Sequence, residues 1–228
     1  MKTIVFAATK GGTGKSTLAL NVAIEASKHG TVYVADLDPQ QSLAHLCEFR
    51  GRQHDLLGHQ PMLLTDVRDV AGAVRKLEKS QYARDFLIVD TPGSFVDEII
   101  KPAIRAADCV VLPVQASPLD ILSQEDLVPI VAELGRTDRA MFVVNRVERN
   151  VRTDDTLTRI APRFPNPPVI IKQRQPYVRA AIVGKAGFEV SGDCVEEIAM
   201  LWQAISRILR RSDDGEVQHA GRRSGVSA

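Results

Sequence analysis

The chain of 228 residues has few cysteines, few aromatic residues and almost no excess of charge. Its three cysteines are odd in number and far apart in the sequence, which argues against a disulfide framework and favours reduced thiols. These residues are Cys47, Cys109 and Cys194. The formal net charge is +1, so any contact with nucleic acid must come from a local patch and not from the charge of the whole chain.

The sequence also has no long apolar run and no linker rich in proline, glycine or serine. A helix that spans a membrane needs roughly 18 or more consecutive apolar residues, and none of that kind is present. The first residues already resemble a strand, so we expect no signal peptide and a cytoplasmic protein. We therefore expect one domain over residues 1–211. Residues 212–228 are polar and aperiodic, which predicts a disordered tail.

Short apolar runs alternate with helical patterns along the chain. The runs cover residues 3–8, 31–36, 85–90, 108–114, 139–146 and 168–171, and the helical patterns cover residues 15–29, 66–80, 94–107, 118–135, 153–162 and 193–211. Most runs are continuous, which is typical of strands buried on both faces. The alternation predicts an α/β fold with a single doubly wound, mostly parallel sheet and helices on both faces. Ligands of such sheets bind at the carboxyl ends of the strands.

A glycine-rich loop at residues 10–17 separates the first apolar run from the first helical pattern. Backbone N–H groups at a helix N-terminus bind phosphate, and glycines let the main chain approach it closely. We expect Lys15 to reach the β- and γ-phosphates of a nucleotide and the Ser16 hydroxyl to bind Mg²⁺. Thr17 is placed to reach the α-phosphate. The nucleotide cradle is expected to be completed by Gly11, Gly12, Thr13 and Gly14.

This loop departs from the usual pattern G-x-x-x-x-G-K-[ST], because Thr9 stands where the first glycine is expected and Lys10 follows it. With Lys10, the sequence resembles the deviant Walker A ATPases of the ParA/MinD group, whose motif is K-G-G-x-G-K-[ST], and especially the small ParA/ParF-type plasmid partition ATPases. The resemblance covers about residues 1–211 and implies a P-loop NTPase fold. It also implies that Lys10 crosses a dimer interface to the partner's phosphates. The alternative is a solvated lysine beside the loop.

Two aspartates stand at the end of the second apolar run, in the order Asp36-Leu37-Asp38-Pro39-Gln40. This D-x-D-P-Q pattern matches the first switch segment of the family. The resemblance implies that Asp38 orients or activates the attacking water, as in other phosphoryl transfers, and that Asp36 supports the Mg²⁺ shell. In isolation, the same residues fit a loop with solvated aspartates.

Another aspartate, Asp90, ends the third apolar run and is followed by Thr91-Pro92-Gly93. An aspartate at this place fits a Mg²⁺ ligand of the Walker B type that acts through water. The N–H group of Gly93 could bind the γ-phosphate, which would make residues 91–98 a second switch that responds to hydrolysis. A plain turn at the end of a strand is the alternative.

Asn145 and Arg146 end the fifth apolar run, directly after Phe142-Val143-Val144. An asparagine can pair with a donor and an acceptor on the edge of adenine, and the plane of an arginine can stack on the ring. Relatives often place an asparagine here for adenine, so we expect both residues to contact the base. An asparagine that caps a turn is the alternative.

Two further segments, residues 113–120 and 172–179, look like segments of the ParF-type ATPases, and we expect the first to lie near the dimer interface. Basic residues gather in the last third of the chain, namely Lys172, Arg174, Arg179, Lys185, Arg207, Arg210 and Arg211. In relatives, such residues bind DNA without sequence preference in the ATP dimer, and contacts of this kind depend strongly on salt. An ordinary solvated face is the alternative.

The resemblance implies a Mg²⁺-dependent ATPase that dimerises with ATP and partitions plasmid or chromosomal DNA. Its catalytic residues would be Lys10, Lys15 and Asp38. A ParB- or ParG-like centromere-binding protein would stimulate hydrolysis, and the ATP dimer would associate with the nucleoid.

Three alternatives stay open. The first is a ParA-like ATPase that positions a protein cluster or organelle. The second is a MinD-like membrane-bound division regulator, although we expect the amphipathic helix at residues 193–211 to pack on the sheet. The third resembles the nitrogenase iron protein, which needs paired cysteines that this chain does not supply.

Overall fold

The computed structural model describes residues 1–52, 60–65, 67–77, 85–94 and 97–223, with the backbone alone over residues 213–223. These residues contain seven strands in one sheet of order β3-β2-β4-β1-β5-β6-β7, and all the strand pairs are parallel. The strands are β1 (Lys2–Phe6), β2 (Val32–Asp36), β3 (Met62–Leu63), β4 (Phe86–Asp90), β5 (Cys109–Gln115), β6 (Ala140–Val147) and β7 (Val169–Lys172). The predicted α/β fold with a parallel, doubly wound sheet is confirmed.

Helices cover both faces of this sheet. They are α1 (Lys15–Ala26), α2 (Ser42–Gly51), α3 (Val70–Leu77), α4 (Asp97–Ala106), α5 (Pro118–Glu125), α6 (Leu127–Glu133), α7 (Asp154–Ile160), α8 (Gln175–Ala181) and α9 (Val195–Arg223). Apolar residues of α1, α2, α8 and α9 pack on one face, and those of α3 to α7 pack on the other. Successive residues of a strand point to opposite faces, so Ile4 and Val5 enter different clusters and both are fully buried. This double burial explains why the strands are continuously apolar in sequence.

The strand order brings the sequence motifs to one edge of the sheet. Strand β1 lies at the centre, with β4 on one side and β5 on the other. Asp36 is in register with Asp90, and Asp90 with Phe6 at the end of β1. The chain goes from β1 towards β2 on one side of the sheet and later towards β5 on the other. A crevice for a ligand is expected at such a reversal of strand order.

The structure contains elements that the sequence analysis does not predict. Strand β3 is only two residues long, and helices α2 and α8 fall outside the predicted helical patterns. The single helix predicted over residues 118–135 is divided at Asp126 into α5 and α6. Pro129 explains the division, because a proline has no N–H to continue the hydrogen-bond ladder of α5 into the next turn. Residues 66 and 78–80 of the helix predicted over residues 66–80 lie outside the described residues. The same holds for residues 95–96, which belong to the predicted helix 94–107 and to the predicted second switch 91–98.

The last helix is longer than the sequence predicts. We placed the end of the domain at Arg211, yet α9 runs without a break to Arg223. Ser212 is buried, and its hydroxyl donates to the carbonyl of Ile208 and lies within 3.4 Å of the carbonyl of Asp108. The packed part of the chain therefore includes the first residue of the segment that we assigned to the tail. Residues 224–228 lie outside the described residues.

Candidate functional site

The glycine-rich loop connects β1 to the N-terminus of α1, as the sequence predicts. Gly12 and Gly14 have φ values of 82° and 84°, a left-handed conformation that favours glycine. A Cβ atom on Gly14 would lie 2.3 Å from Nδ2 of Asn145, so there is no room for a side chain. Gly14 is also the N-cap of α1 and provides no side-chain cap. The first N–H groups of α1 are therefore not capped by that residue and suit an anion such as phosphate.

Lys15, Ser16 and Asp90 form a tight cluster next to this loop. Nζ of Lys15 donates to Oδ1 of Asp90 at 2.5 Å, and Oγ of Ser16 donates to Oδ2 of the same carboxylate at 2.5 Å. Asp90 is fully buried, and burial raises its pKa to about 6, although the Lys15 charge and both hydrogen bonds oppose the rise. Lys15 and Ser16 thus contact Asp90, which is about 75 residues further along the chain. Their contact lies where the sequence analysis expects the phosphates and Mg²⁺.

Asp38 lies beside this cluster and links two of the motifs. Its Oδ2 atom accepts a hydrogen bond from the Gly93 N–H at 3.1 Å and lies 3.9 Å from Nζ of Lys15. Its Oδ1 atom accepts from the N–H of Gln40 at 2.9 Å. The N–H of Gly93, expected to bind a γ-phosphate, therefore binds the Asp38 carboxylate in this structure. The role of Asp38 towards an attacking water stays a prediction.

Asp36 stabilises the turn between β2 and α2. Its two carboxylate oxygens accept hydrogen bonds from the N–H groups of Asp38 and Ala44, at 3.0 and 2.9 Å. Burial raises the pKa of this carboxyl group, and both backbone hydrogen bonds act against the rise. The observed contacts of Asp36 are thus with its own loop, and its support of a Mg²⁺ shell stays a prediction.

Lys10 lies at the mouth of the loop, where the sequence places it. Its side chain is 54% exposed, and Nζ contacts Oδ1 of Asp120 at 2.6 Å. Oγ1 of the preceding Thr9 donates to the carbonyl of Ser123. Both contacts reach α5, so the start of the loop is held by the element that follows β5. That Lys10 reaches a partner's nucleotide stays a prediction.

Asn145 and Arg146 lie on the other side of the loop, at the end of β6. Nδ2 of Asn145 donates to the carbonyl of Thr13 at 2.7 Å, so this amide attaches the loop to β6. Arg146 has a φ of 55° and is exposed, and it lines the cavity of the loop as well as a second cavity of about 230 Å³. The second cavity is also lined by Tyr177 and Val178 of α8. The position of this second cavity fits a nucleotide base. Arg146 is available to stack on the base, whereas Nδ2 of Asn145 is already bound to the loop.

The loop opens into a cavity of about 800 Å³ that is lined by residues 10–17, Asp38, Gly93 and Arg146. Thr13 is buried in this loop, and among the described residues its hydroxyl has no hydrogen-bond partner. A phosphate oxygen would satisfy such a hydroxyl, so the donors of the loop fit a polyphosphate.

The residues present also fit Mg²⁺, with most of its ligands supplied from outside the protein. Ser16 and Asp90 are oxygen ligands of the kind that Mg²⁺ prefers, and a nucleotide site commonly adds phosphate oxygens and water to one or two such groups. Over the described ranges, no three His, Cys, Asp or Glu side chains are grouped so that they could hold a metal by themselves. Any Mg²⁺ here would therefore be bound together with the nucleotide.

Comparison with known protein families identifies the family of this chain. The family model for the ATPase MipZ matches residues 2–155, which is more than half of the chain and includes the loop, Asp38 and Asp90. The chain belongs to this family. It is a deviant Walker A ATPase of the ParA/MinD type, and the resemblance deduced from the Lys10 motif is confirmed.

Relatives of this ParA/MinD-type ATPase have names that refer to different processes. The maintenance of carboxysome distribution protein A of Halothiobacillus neapolitanus is 28% identical over 82% of this chain and 87% of that protein. Protein ParA of Rhizobium radiobacter is 29% identical over 58% of this chain and 57% of that protein. A plasmid partition protein of Borrelia burgdorferi, solved with AMPPNP, superposes with a TM-score of 0.68 at 20% identity, over 92% of this chain and 98% of that one. This last likeness shows the fold.

The basic residues of the last third of this ParA/MinD-type ATPase do not form one patch. Lys172 ends β7 at the nucleotide edge of the sheet. Arg211 lies at the opposite edge, where it donates to Oδ1 of Asn166, a residue that contacts the first residue of β6. A strand the length of β6 places these edges on the order of 20 Å apart. Arg174 is paired with Glu197 and Asp193, so its charge is already compensated within the chain.

The amphipathic part of α9 packs on the sheet, as predicted. Its apolar residues are all buried in the cluster with α1: Ile198, Leu201, Trp202, Ile205, Ile208 and Leu209. In the part of the chain that the structure describes, no helix has the length and apolar character that crossing a membrane requires. The three cysteines are also buried and unpaired, as the sequence indicates.

Asp120 is the site residue that the sequence analysis does not identify. It is buried, and its carboxylate binds Lys10 and the hydroxyl of Ser117. Ser117 is the N-cap of α5 and Pro118 is its first residue, a combination typical of a helix start. The sequence analysis places Asp120 near the start of the helix predicted over residues 118–135, but nothing local in the sequence connects this carboxylate with Lys10.

Proposed function

We propose that this chain is an ATP-driven switch that hydrolyses ATP with Mg²⁺, dimerises when ATP is bound and positions a protein cargo in the cytoplasm. The observation that carries the proposal is the convergence of Lys10, Lys15 and Asp38 on one cavity at the end of β1, where Lys15 also binds the buried carboxylate of Asp90. Lysines at both ends of the loop supply positive charge for a polyphosphate, and one of them is exposed at the surface.

The site residues have separate roles in this proposal. Lys15 and the N-terminus of α1 bind the phosphates, and Ser16 and Asp90 hold Mg²⁺, which neutralises phosphate charge when it is bound. Asp38 orients the attacking water from a position 3.9 Å from Nζ of Lys15. Gly93 changes its partner from Asp38 to the γ-phosphate, and this change signals the presence of ATP. The other predicted contacts are those of Gly11, Gly12, Thr13, Gly14 and Thr17 with phosphate, of Asp36 with the Mg²⁺ shell, and of Asn145 and Arg146 with adenine.

Protein cargo is favoured over plasmid partition because of how much of the chain each relative covers. The carboxysome distribution protein of Halothiobacillus neapolitanus matches 82% of the chain, whereas the ParA protein matches 58%. Partition of DNA is the second candidate, and the ParA relative supports it. In both cases an adaptor protein on the cargo, in the manner of a ParB- or ParG-like protein, would bind the ATP dimer and stimulate hydrolysis.

Association with the nucleoid would give the switch a surface on which to move. Exposed Arg207 and Arg210 of α9, with Arg211, are candidates for contacts with DNA phosphates at the edge opposite the nucleotide. The ATP-bound dimer presents two such groups of arginines, whereas a monomer presents one. DNA binding would therefore require ATP. Each lysine or arginine on a phosphate releases a counterion, so the affinity would fall steeply as salt is raised.

Sedimentation and hydrolysis assays with Lys10→Ala test the ATP-driven dimer. The variant should bind nucleotide as a monomer but neither dimerise with a slowly hydrolysed ATP analogue nor turn over ATP. Lys28→Ala is a matched control, because Lys28 is also exposed and also forms a 2.6 Å ion pair within its subunit. A normal ATP-dependent dimer in Lys10→Ala would reject the proposal.

Deletion of the gene in the native cell distinguishes the two cargoes. Protein cargo predicts that large protein assemblies cluster or are distributed unevenly between daughter cells, while plasmids and chromosomal loci are inherited normally. Plasmid loss with normally distributed assemblies would support partition instead. A DNA shift assay with ADP and ATP at rising salt tests the nucleoid contact, and equal DNA binding with both nucleotides would contradict it.

A further inference from the structure

Residues 184–189, between α8 and α9, lie directly against α2. Gly184 has a φ of 67°, and a Cβ atom on it would lie 2.2 Å from N and 2.6 Å from Cα of Arg50. The backbones of the two segments are therefore in direct contact, without space for a side chain. Movement of one segment must displace the other.

An ion pair between the buried Arg50 and the partly exposed Glu189 fixes this contact. Arg50 lies in the last turn of α2 and is 2% exposed. Its Nη1 and Nη2 atoms donate to the two oxygens of Glu189 at 2.8 and 3.0 Å. Nη1 also lies 3.3 Å from the carbonyl of Gly184. Such a bidentate pair fixes the direction as well as the distance between its partners.

The same segment is bound to α1. The N–H of Gly187 donates to Oδ1 of Asn21 at 2.8 Å, and Nδ2 of Asn21 donates to the carbonyl of Thr17 at 2.8 Å. Asn21 is buried. Residues 184–189 therefore connect α2 to the helix that begins with Lys15.

The other end of α2 adjoins the two aspartates of the first switch. The N–H of Ala44, in the first turn of α2, donates to Asp36, and Asp36 also accepts from the N–H of Asp38. Ala44 and Arg50 are separated by six residues, or about 9 Å along a helix. A helix of this length is rigid, so the position of its last turn determines that of its first.

We propose that Arg50 is a positioning residue for ATP hydrolysis, an inference that rests on the proposed function. With Glu189 it holds α2 in a fixed position relative to α1. This position sets the distance between Oδ2 of Asp38 and Nζ of Lys15, which is 3.9 Å in this structure. Arg50 thus acts on the reacting groups through Asp36 and Asp38.

The first test is Glu189→Gln, which keeps the shape of the side chain and removes its charge. Binding of an ATP analogue should stay close to that of the wild type, because Lys15 and α1 keep their core packing. The single-turnover hydrolysis rate should fall about tenfold or more, since small misplacements of a catalytic group are costly. Asp154→Asn is the control, because Asp154 forms an exposed ion pair with Arg152 and neither residue lines the cavity of the loop or the cavity of about 230 Å³. It should leave both quantities unchanged.

Two further variants separate positioning from stability. Arg50→Lys keeps the positive charge without the two parallel hydrogen bonds, and its rate should lie between those of the wild type and Glu189→Gln. The double variant Arg50→Met, Glu189→Met leaves no buried charge without a partner, so its thermal stability should recover. Its hydrolysis rate should stay low, because the directional contact is absent. Recovery of both stability and rate would show a purely structural pair and overturn the proposal.

Other outcomes also decide the question. A wild-type rate in Glu189→Gln, or equal losses of rate and nucleotide affinity, would overturn the positioning role while leaving the proposed function intact. Failure of the wild-type chain to hydrolyse ATP would overturn the proposed function. In that case hydrogen exchange of the nucleotide-free protein still tests the geometry. The amides of Ala44 and Asp38 should exchange faster in Glu189→Gln than in Asp154→Asn, and equal exchange would contradict the proposal.

Discussion

Nζ of Lys10 lies 2.6 Å from Oδ1 of Asp120, so the lysine that defines this family is bound to its own subunit in this structure. The other carboxylate oxygen of Asp120 accepts a hydrogen bond from the Ser117 hydroxyl at 2.9 Å. Ser117 also accepts from the N–H of Asp120, which fixes the carboxylate at the start of α5. For Lys10 to reach a partner's phosphates, this ion pair must break.

We predict that Asp120→Asn favours the ATP-dependent dimer. The amide keeps the size of the side chain and its contact with Ser117, but it removes the charge that holds Lys10. The concentration for half-dimerisation with a slowly hydrolysed ATP analogue should therefore fall several-fold, as measured by analytical sedimentation. The energy involved is small, because the Lys10 side chain is more than half exposed and a pair with a solvated partner is worth about 1 kcal/mol or less.

Two controls belong to this experiment. Asp154→Asn, in an exposed pair with Arg152, should leave dimerisation unchanged. The combination of Asp120→Asn with Lys10→Ala should show no ATP-dependent dimer, since the freed group is then missing. Weaker dimerisation of Asp120→Asn would mean that this carboxylate is needed within the dimer itself.

Asp38→Asn should separate nucleotide binding from hydrolysis. The amide oxygen can still accept from the N–H of Gly93 or Gln40, so the turn keeps its conformation. Loss of the carboxylate should lower the single-turnover hydrolysis rate on the order of a hundredfold, as for other groups that assist proton transfer. The affinity for ATP, measured by titration with a fluorescent analogue, should be retained. Hydrolysis at the wild-type rate would remove Asp38 from the reaction.

Gly14→Ala should destabilise the nucleotide-free protein. The residue has a φ of 84°, and the added methyl would lie 2.3 Å from Nδ2 of Asn145. Strain in the backbone and overpacking together should lower the free energy of unfolding by on the order of 3 kcal/mol in urea denaturation. Gly11→Ala is the matched control, because a Cβ atom there meets nothing within 4 Å and φ is not positive. Equal stability of the two variants would contradict this description of the loop.

Glu125 gives a pH-dependent contribution to stability. Hydrogen bonds from Arg159 and Arg163 lower its pKa below the ordinary value of 4.5. The unfolded chain therefore binds this proton more readily, so the contribution is complete above about pH 4.5 and is lost as the pH falls through the folded pKa. Because both arginines are nearly half exposed, Glu125→Gln should cost less than about 1 kcal/mol at neutral pH. Urea denaturation of both proteins should show this difference disappearing in acid, and a difference that grows in acid would contradict the assignment.

The sheet and the phosphate loop could be predicted from the sequence because their signals are local. Strands buried on both faces are continuously apolar, and Gly12, Gly14 and Lys15 lie within a few residues of one another. Asp38 and Asp90 could be added because each directly follows a strand, and the ends of parallel strands meet at one edge. The short edge strand β3 has no comparable pattern in its two residues.

Helices α2 and α8 could not be predicted in the same way. Helix α2 is stabilised mainly by contacts made elsewhere in the chain, such as the bond between Arg50 and Glu189, which are 139 residues apart. Helix α8 is similarly attached, since the Tyr177 hydroxyl donates to Glu197 of α9. Contacts between residues so far apart in sequence produce no periodic pattern within the helices themselves.

The amino-acid sequence by itself determined the parallel sheet, the phosphate-binding loop and the family, because burial on two faces and a close approach of the main chain restrict which residues can stand at neighbouring positions. Only the tertiary structure decided which partners these residues have. It placed Lys10 on Asp120, Gly93 on Asp38 and Asn145 on Thr13, and it separated Lys172 from Arg211. Such pairings depend on the order of the strands and on the packing of helices that are distant in sequence, and no local pattern records them.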